Sequence, residues 1–279
     1  MLRSIAVLAL CACAARPAPC PVAPAVEPSG TPLLWRVHKP GGPTVWLFGT
    51  IHDAGLPAVQ ASVLAALAAS PRFASELGDR EPDREAMREL SRIERGPGID
   101  HQLPTDDWWE LRDTLRGKLR EDDLKRARPW YALLLLNRLS APTTESMDVG
   151  LAKTARTRRI PVDGLETPED QIRALDSAVT VDDLAQAIRT RKTTGCAYRG
   201  LLAAYAAGDL AALAPMLVIP RSAEALLWAR NRRWLPAIER YLGEGGAFIA
   251  VGLGHLIGDQ GLPALLVKAG YSVERTAVP

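Results

Sequence analysis

Cysteine is nearly missing from the body of this 279-residue chain. Of four, Cys11, Cys13 and Cys20 fall near the start, and Cys196 stands alone beyond them. A disulfide framework and a Cys-type zinc site are both excluded by that count. Cys196, in TTGCAY, has two readings: a small soft side chain used for packing, or a lone nucleophile. Histidine is as scarce, with His38, His52, His101 and His255 the full set, and there are only three Phe beside seven Trp. A stripe of basic residues interleaved with aromatics is also missing. With 34 basic residues against 32 acidic ones the formal charge is +2, so nucleic acid is not an expected partner.

What is present is globular. Apolar residues make up 47% and charged residues 24%, and the length suffices for one large domain or two small ones. The start reads as a targeting segment: a basic Met1-Leu2-Arg3, then Ser4–Cys13 (SIAVLALCAC), roughly ten apolar residues and too short to span a bilayer. Leu10-Cys11-Ala12-Cys13 has the form of a lipobox, which would make Cys13 a lipidated membrane tether. Cleavage near Ala15 and a misplaced start codon are the alternatives. Export implies a location in the periplasm or cell envelope. The expected organisation is a signal segment over 1–13, a Pro/Ala-rich linker over 14–32 and a single domain over 33–279.

Within that domain, LLWRVH and TVWLF flank a KPGGP turn and predict a hairpin. A helix over Pro57–Ser70 and a short strand over Arg72–Leu77 follow. The middle is helical, with one helix expected over Glu121–Leu139, others over Thr143–Arg158 and Val181–Ala207, and a long one over Ser222–Leu242. A short strand-like RIPVDGL interrupts them, and AFIAV restores the β pattern near the end. The expected fold is α/β: a mostly parallel sheet with an N-terminal hairpin, covered by helices, with a helical insertion over about 84–242.

Two of the four histidines share one setting. His52 ends Gly49-Thr50-Ile51-His52 and His255 ends Gly252-Leu253-Gly254-His255, each three residues after a glycine that closes an apolar strand. The carboxyl ends of parallel strands share one sheet edge, where ligands bind. If the two strands are neighbours, both imidazoles reach one crevice. Glu76 sits at the end of the strand expected over Arg72–Leu77, and Glu166 lies just past RIPVDGL. Two imidazoles with a carboxylate suit zinc, manganese, cobalt or iron, and the second carboxylate, Glu166, is a candidate general base. The alternatives are structural: a histidine that satisfies a turn, a solvated Glu76, and a Glu166 that leads into a helix cap. His38 and His101 read as surface residues.

On the long helix, Leu227, Trp234, Ile238 and Tyr241 form an apolar stripe, and Arg230 falls on it with Asn231 beside it. A guanidinium on an apolar face needs a partner. That partner is either an anionic ligand group, which makes Arg230, Asn231 and Asp148 candidate substrate-binding residues, or an internal carboxylate from Asp148 or a strand-end Glu.

The ordered set LWRV, WLFGTIH, RPW at Arg128–Trp130, MDVGLAKTA, GLET with Gln171, RNRRW and VGLGHLIGDQGLPALLVKAGYSV resembles the TraB/GumN family, which includes TraB, PrgY and the animal Tiki proteins. The resemblance runs from Leu34 to Val273. It implies a metal-dependent protease that uses the two Gly-x-x-His motifs and an acidic residue, here His52, His255 and Glu76, with peptide or small-molecule substrates. The family is also similar to erythromycin-esterase-like and haem-binding ChaN-like folds. That keeps open two alternatives: a binding protein for a peptide signal, glycan or haem, and an accessory protein of envelope polysaccharide synthesis.

Overall fold

The computed structural model describes residues 30–276 except 53, 82 and 140–144, and the side chains of all of these but 192–196. The signal segment, most of the linker and the side chain of Cys196 lie outside the described residues.

Six strands form one sheet: β1 (Leu34–His38), β2 (Val45–Thr50), β3 (Phe73–Ser75), β4 (Val162–Gly164), β5 (Ala247–Gly252) and β6 (Ser272–Arg275), in the order β4-β3-β5-β2-β1-β6. The run β4-β3-β5-β2 is parallel throughout, while β1 is antiparallel to both β2 and β6. The mostly parallel sheet and its hairpin therefore match the sequence expectation. Apolar content follows position. The central β5, AFIAVG, is buried from Ala247 to Val251 because helices cover both faces, whereas edge strand β6, SVER, carries partly exposed residues throughout.

The helices are α1 (Ala61–Ala69), α2 (Arg84–Leu90), α3 (Ile99–Gln102), α4 (Thr105–Thr114), α5 (Glu121–Lys125), α6 (Pro129–Arg138), α7 (Met147–Thr157), α8 (Pro168–Ala178), α9 (Val181–Ala207), α10 (Leu210–Leu217), α11 (Pro220–Ala223), α12 (Ala229–Gly243) and α13 (Leu262–Lys268). Two differ from the sequence reading for local reasons. The single helix expected over Glu121–Leu139 is split, because Pro129 cannot donate a backbone bond and holds Arg128 extended (ψ 151°). The helix expected from Pro57 begins as a 3-10 turn at Leu56–Ala58, and α1 starts only after the extended Gln60. The longest helix, α9, carries a full capping box: Thr180 accepts from the Asp183 N–H, and Asp183 accepts from the Thr180 N–H.

Apolar burial divides into two clusters. The larger lies around the sheet and includes Leu47, Phe73, Phe248, Ile249, Leu151 and Trp234. The smaller gathers Ile99, Leu111, Leu115, Leu124, Leu136 and Leu184 from α3 to α6 and the start of α9. The later half of α9 reaches the larger cluster through Leu201, Leu202 and Tyr205, so this helix joins the two. Of the stretch 84–242, residues 99–136 and the start of α9 thus build a core of their own, while α7, β4 and α12 belong to the sheet.

Gly49 ends the apolar part of β2 where the 3-10 turn Leu253–Leu256 crosses it. A methyl group placed on Gly49 would lie 2.4 Å from Leu253 Cδ1 and 3.2 Å from Leu253 Cα, which is backbone and cannot step aside. Gly49→Ala is therefore expected to destabilise the chain by about 1–3 kcal/mol through overpacking. Urea unfolding measures this, and a midpoint equal to wild type would show that the turn yields.

Candidate active site at the carboxyl edge of the sheet

Strands β2 and β5 are parallel neighbours with Thr50 opposite Gly252. The chain leaves both at the same edge, so the turns carrying His52 and His255 stand side by side. On the other side of β5, Ser75 pairs with Ala250, and Ser75 also pairs with Gly164 of β4. Glu76 and Glu166 follow these residues, and the ladder continues through them, with the Glu166 N–H donating to the Glu76 carbonyl at 3.0 Å. The four residues expected at the strand ends thus share one edge.

Gly252 lies among three of them, Glu76, His52 and His255. A methyl group placed there would lie 3.3 Å from Glu76 Oε1, 3.6 Å from His52 Nε2 and 3.8 Å from His255 Cδ2. Its N–H donates to Glu76 Oε1 at 2.9 Å. Any side chain at this position would crowd the space the three groups face.

Both imidazoles are held by their Nδ1 atoms. For His255 the partner is Asn231. Its Nδ2 donates to the carbonyls of His255 (3.1 Å) and Gln260 (2.8 Å), which fixes the amide orientation and leaves Oδ1 to accept from His255 Nδ1–H at 2.7 Å. In the neutral ring the lone pair is then on Nε2. For His52 the partner is Asp148, whose Oδ2 accepts from Nδ1–H at 2.6 Å while Oδ1 accepts from the Thr50 hydroxyl at 2.7 Å. A neutral His52 likewise carries its lone pair on Nε2. An imidazole oriented through Nδ1 by a carboxylate or amide is the arrangement that prepares Nε2 as a metal ligand.

Arg230 lies between the carboxylates. Its Nη2 donates to Glu76 Oε2 and Glu166 Oε1 at 2.5 Å each, and its Nε lies 3.1 Å from both Glu166 oxygens. Its Nη1 donates to the Leu226 carbonyl at 2.7 Å and faces His255 Nε2 at 3.2 Å. The ring of Trp234 supports this from below, 4.4 Å from the His255 ring and 4.9 Å from the guanidinium carbon. Of the two internal partners read from the sequence, the strand-end glutamates take the guanidinium and Asp148 does not. Asn231 and Asp148, expected to contact substrate, are engaged with the imidazoles instead. Asn231 is fully buried, with both amide N–H groups donated to carbonyls and Oδ1 accepting from His255, so it positions that ring.

Access is one-sided. The His52 side chain is 65% exposed, whereas His255, Glu76, Glu166 and Arg230 keep less than a tenth of theirs. Burial raises the Glu166 carboxyl above its ordinary pKa even against the Arg230 contacts. Burial pushes Glu76 the same way, but His255, Arg230, His52 and the Gly252 N–H outweigh it and hold that carboxyl well below the usual range. Two neighbouring carboxylates pushed in opposite directions are a common arrangement where one must stay ionised and the other exchange a proton. His255 is pushed down to about 3, by burial first and by Arg230 and His52 next, against the pull of Glu76. As the side chains stand, no three His, Cys, Asp or Glu groups form a ready coordination set among the described residues. The donors nonetheless fit a divalent ion in kind: two imidazole Nε2 atoms and one ionised carboxylate around a residue with no side chain.

Several supports had no role assigned from the sequence, although Gln171 stands beside the GLET motif. Gln171 donates to Glu76 Oε2 at 2.9 Å, Arg80 donates to the Glu166 carbonyl at 2.7 Å, and the buried Tyr205 hydroxyl donates to the Gly49 carbonyl at 2.7 Å. Gln171 had a faint signal, one turn into the helix that follows Glu166. Tyr205 had none, because it comes from the end of α9. His38 and His101 stand apart: His38 Nδ1 lies near the Lys39 carbonyl, and His101 is exposed beside Asp100.

These features define an α/β protein whose parallel strands gather two histidines and two glutamates at their carboxyl edge. The family model of the TraB/PrgY/gumN family matches residues 33–275, and the chain belongs to that family. Comparison with curated proteins and with solved structures returned no match.

A buried neutral imidazole has a pH signature. The unfolded chain binds a proton on His255 near pH 6.5, and the folded chain resists it down to about pH 3. The stability from this burial is fully present above pH 6.5 and is lost as pH falls through that window, with a slope approaching about 1.4 kcal/mol per pH unit. In metal-free protein, urea midpoints between pH 7 and 5 should fall more steeply for wild type than for His255→Gln. Parallel curves would show that His255 is not the proton acceptor.

Proposed function

We propose that this chain is a metal-dependent hydrolase of the bacterial cell envelope, of the metallopeptidase type. One observation carries the reading: His52 Nε2, Glu76 Oε1 and the His255 ring converge on Gly252, each imidazole oriented through its Nδ1. His52, Glu76 and His255 are the residues that would hold a zinc, manganese or cobalt ion. The chemistry supplied by such an ion is Lewis-acid polarisation of a scissile carbonyl.

The chain's own groups do the remainder. Glu76, kept ionised beside the Arg230 cation, gives the site its negative charge. Asp148 and Asn231 keep both imidazoles in one tautomer and so remove the need to reorganise during turnover. Glu166, raised by burial, is the candidate proton acceptor, with a pKa moved toward the range in which a general base is effective. Arg230 neutralises one of the two carboxylate charges and orients Glu166. The exposed face at His52 is the entry for a peptide or other small carbonyl substrate.

The envelope location rests on the leader sequence, with Cys13 as the proposed lipid anchor and cleavage near Ala15 as the alternative. The intact mass of the mature chain distinguishes the two.

The hydrolase reading is tested on the purified chain by metal analysis and by incubation with a peptide mixture, with and without a chelator. Bound divalent metal and chelator-sensitive cleavage are expected. His52→Ala and His255→Ala should abolish both, and Asp148→Asn should weaken metal affinity about 10–100-fold by releasing the His52 ring. No metal uptake from zinc, manganese or cobalt would overturn the reading. Metal uptake with every added peptide recovered intact would favour a ligand-holding protein in place of a hydrolase.

A further inference from the structure

The lone pair of His255 Nε2 points along one direction, and a guanidinium stands in it. Arg230 Nη1 lies 3.2 Å from that nitrogen and Nη2 lies 2.5 Å from Glu76 Oε2, so one side-chain cation already engages two of the three groups assigned to the metal. A ring nitrogen has a single lone pair. His255 therefore cannot accept from Arg230 and hold a metal ion at the same time.

Arg230 also has acceptors that the metal would not use. Its Nε reaches both oxygens of Glu166 at 3.1 Å, its Nη2 reaches Glu166 Oε1 at 2.5 Å, and its Nη1 reaches the Leu226 carbonyl at 2.7 Å. Leu226 lies in a π turn, Glu224–Trp228, between α11 and α12, where the Ala229 N–H reaches back to the Glu224 carbonyl. In a turn of that width the carbonyls are not all claimed by amides four residues on, and such turns concentrate at functional sites. Here the Leu226 carbonyl receives the Arg230 side chain. Releasing His255 thus costs the guanidinium one contact and leaves it anchored by the rest. The charges agree: Glu76, Glu166 and Arg230 together leave one negative charge buried, which a divalent ion can use.

We infer that Arg230 is the resident cation of this site, displaced from His255 when a divalent ion enters and retained on Glu166, Leu226 and the far oxygen of Glu76, so that it competes with the metal and sets its affinity. This rests on the metal reading above and adds a competitor to it. A bracing residue and a competing one predict opposite results. Removal of a brace loosens the ligands, whereas removal of a competitor tightens binding.

The test is calorimetric titration of zinc, and separately of manganese, into chelator-stripped full-length chain and its Arg230→Met variant at neutral pH. The variant is expected to bind about tenfold tighter or more, the equivalent of one hydrogen bond from a charged donor. Equal or weaker binding by the variant, with wild type still binding, would overturn the inference and leave the metal reading intact. Binding by neither chain would overturn both. If Arg230→Met does not fold, because two carboxylates are left buried without a counter-charge, the double variant Arg230→Met/Glu166→Gln removes one of them. It is titrated in its place with the same expectation.

Discussion

Everything at the site depends on the parallel pairing of β2 with β5, with Thr50 opposite Gly252. That pairing brings together two turns about 200 residues apart and lays them across the same sheet edge, an arrangement parallel strands favour because their carboxyl ends coincide. Val45 and Leu47 on one strand, and Phe248 and Ile249 on the other, are fully buried and fix these two strands in the larger apolar cluster. The imidazoles are placed by the core, and the polar contacts then refine their aim.

Much of this was legible beforehand because strand ends are marked by composition. WLFGT and AFIAVG are apolar runs closed by glycine, and the residues beyond such runs must lie at the edge whatever the details of the turn. The same logic located Glu76 and Glu166. Helical spacing placed Arg230 on the buried stripe of α12, and burial of a guanidinium demanded an anionic partner. Which partner it takes was not legible. Asp148 and the strand-end glutamates were equally suitable by charge, and the choice depends on which carboxylates the packing of α12 brings within reach of its guanidinium. Nor could spacing show that Asn231 bonds to His255 and Gln260, because Gln260 comes from a turn folded back onto the helix. The division of the middle segment between two apolar clusters was equally hidden: amphipathic helices show that they bury a face and do not name the surface it meets.

The buried charges form a graded set. Glu166 is raised and Glu76 lowered although the same guanidinium touches both. The difference comes from the rest of each surrounding. Glu76 lies 3.7 Å from His255 Nε2, is also drawn down by His52 and receives the Gly252 N–H, whereas Glu166 is raised by burial with Arg230 and the more distant Arg233 (3.8 Å) against it. A pair of acids that looks symmetrical in the sequence is thus made unequal by the two imidazoles and the backbone N–H that reach Glu76.

The two glycines that open the Gly-x-x-His motifs each serve the opposite motif. Gly49 leaves room for Leu253, and Gly252 leaves room beside His52. The turns are reciprocal halves of one clasp, so neither can be redesigned alone. Lengthening, stiffening or randomising one loop while its counterpart stays fixed would sample mostly collisions. Workable variants of this edge lie along a narrow path on which both loops change together.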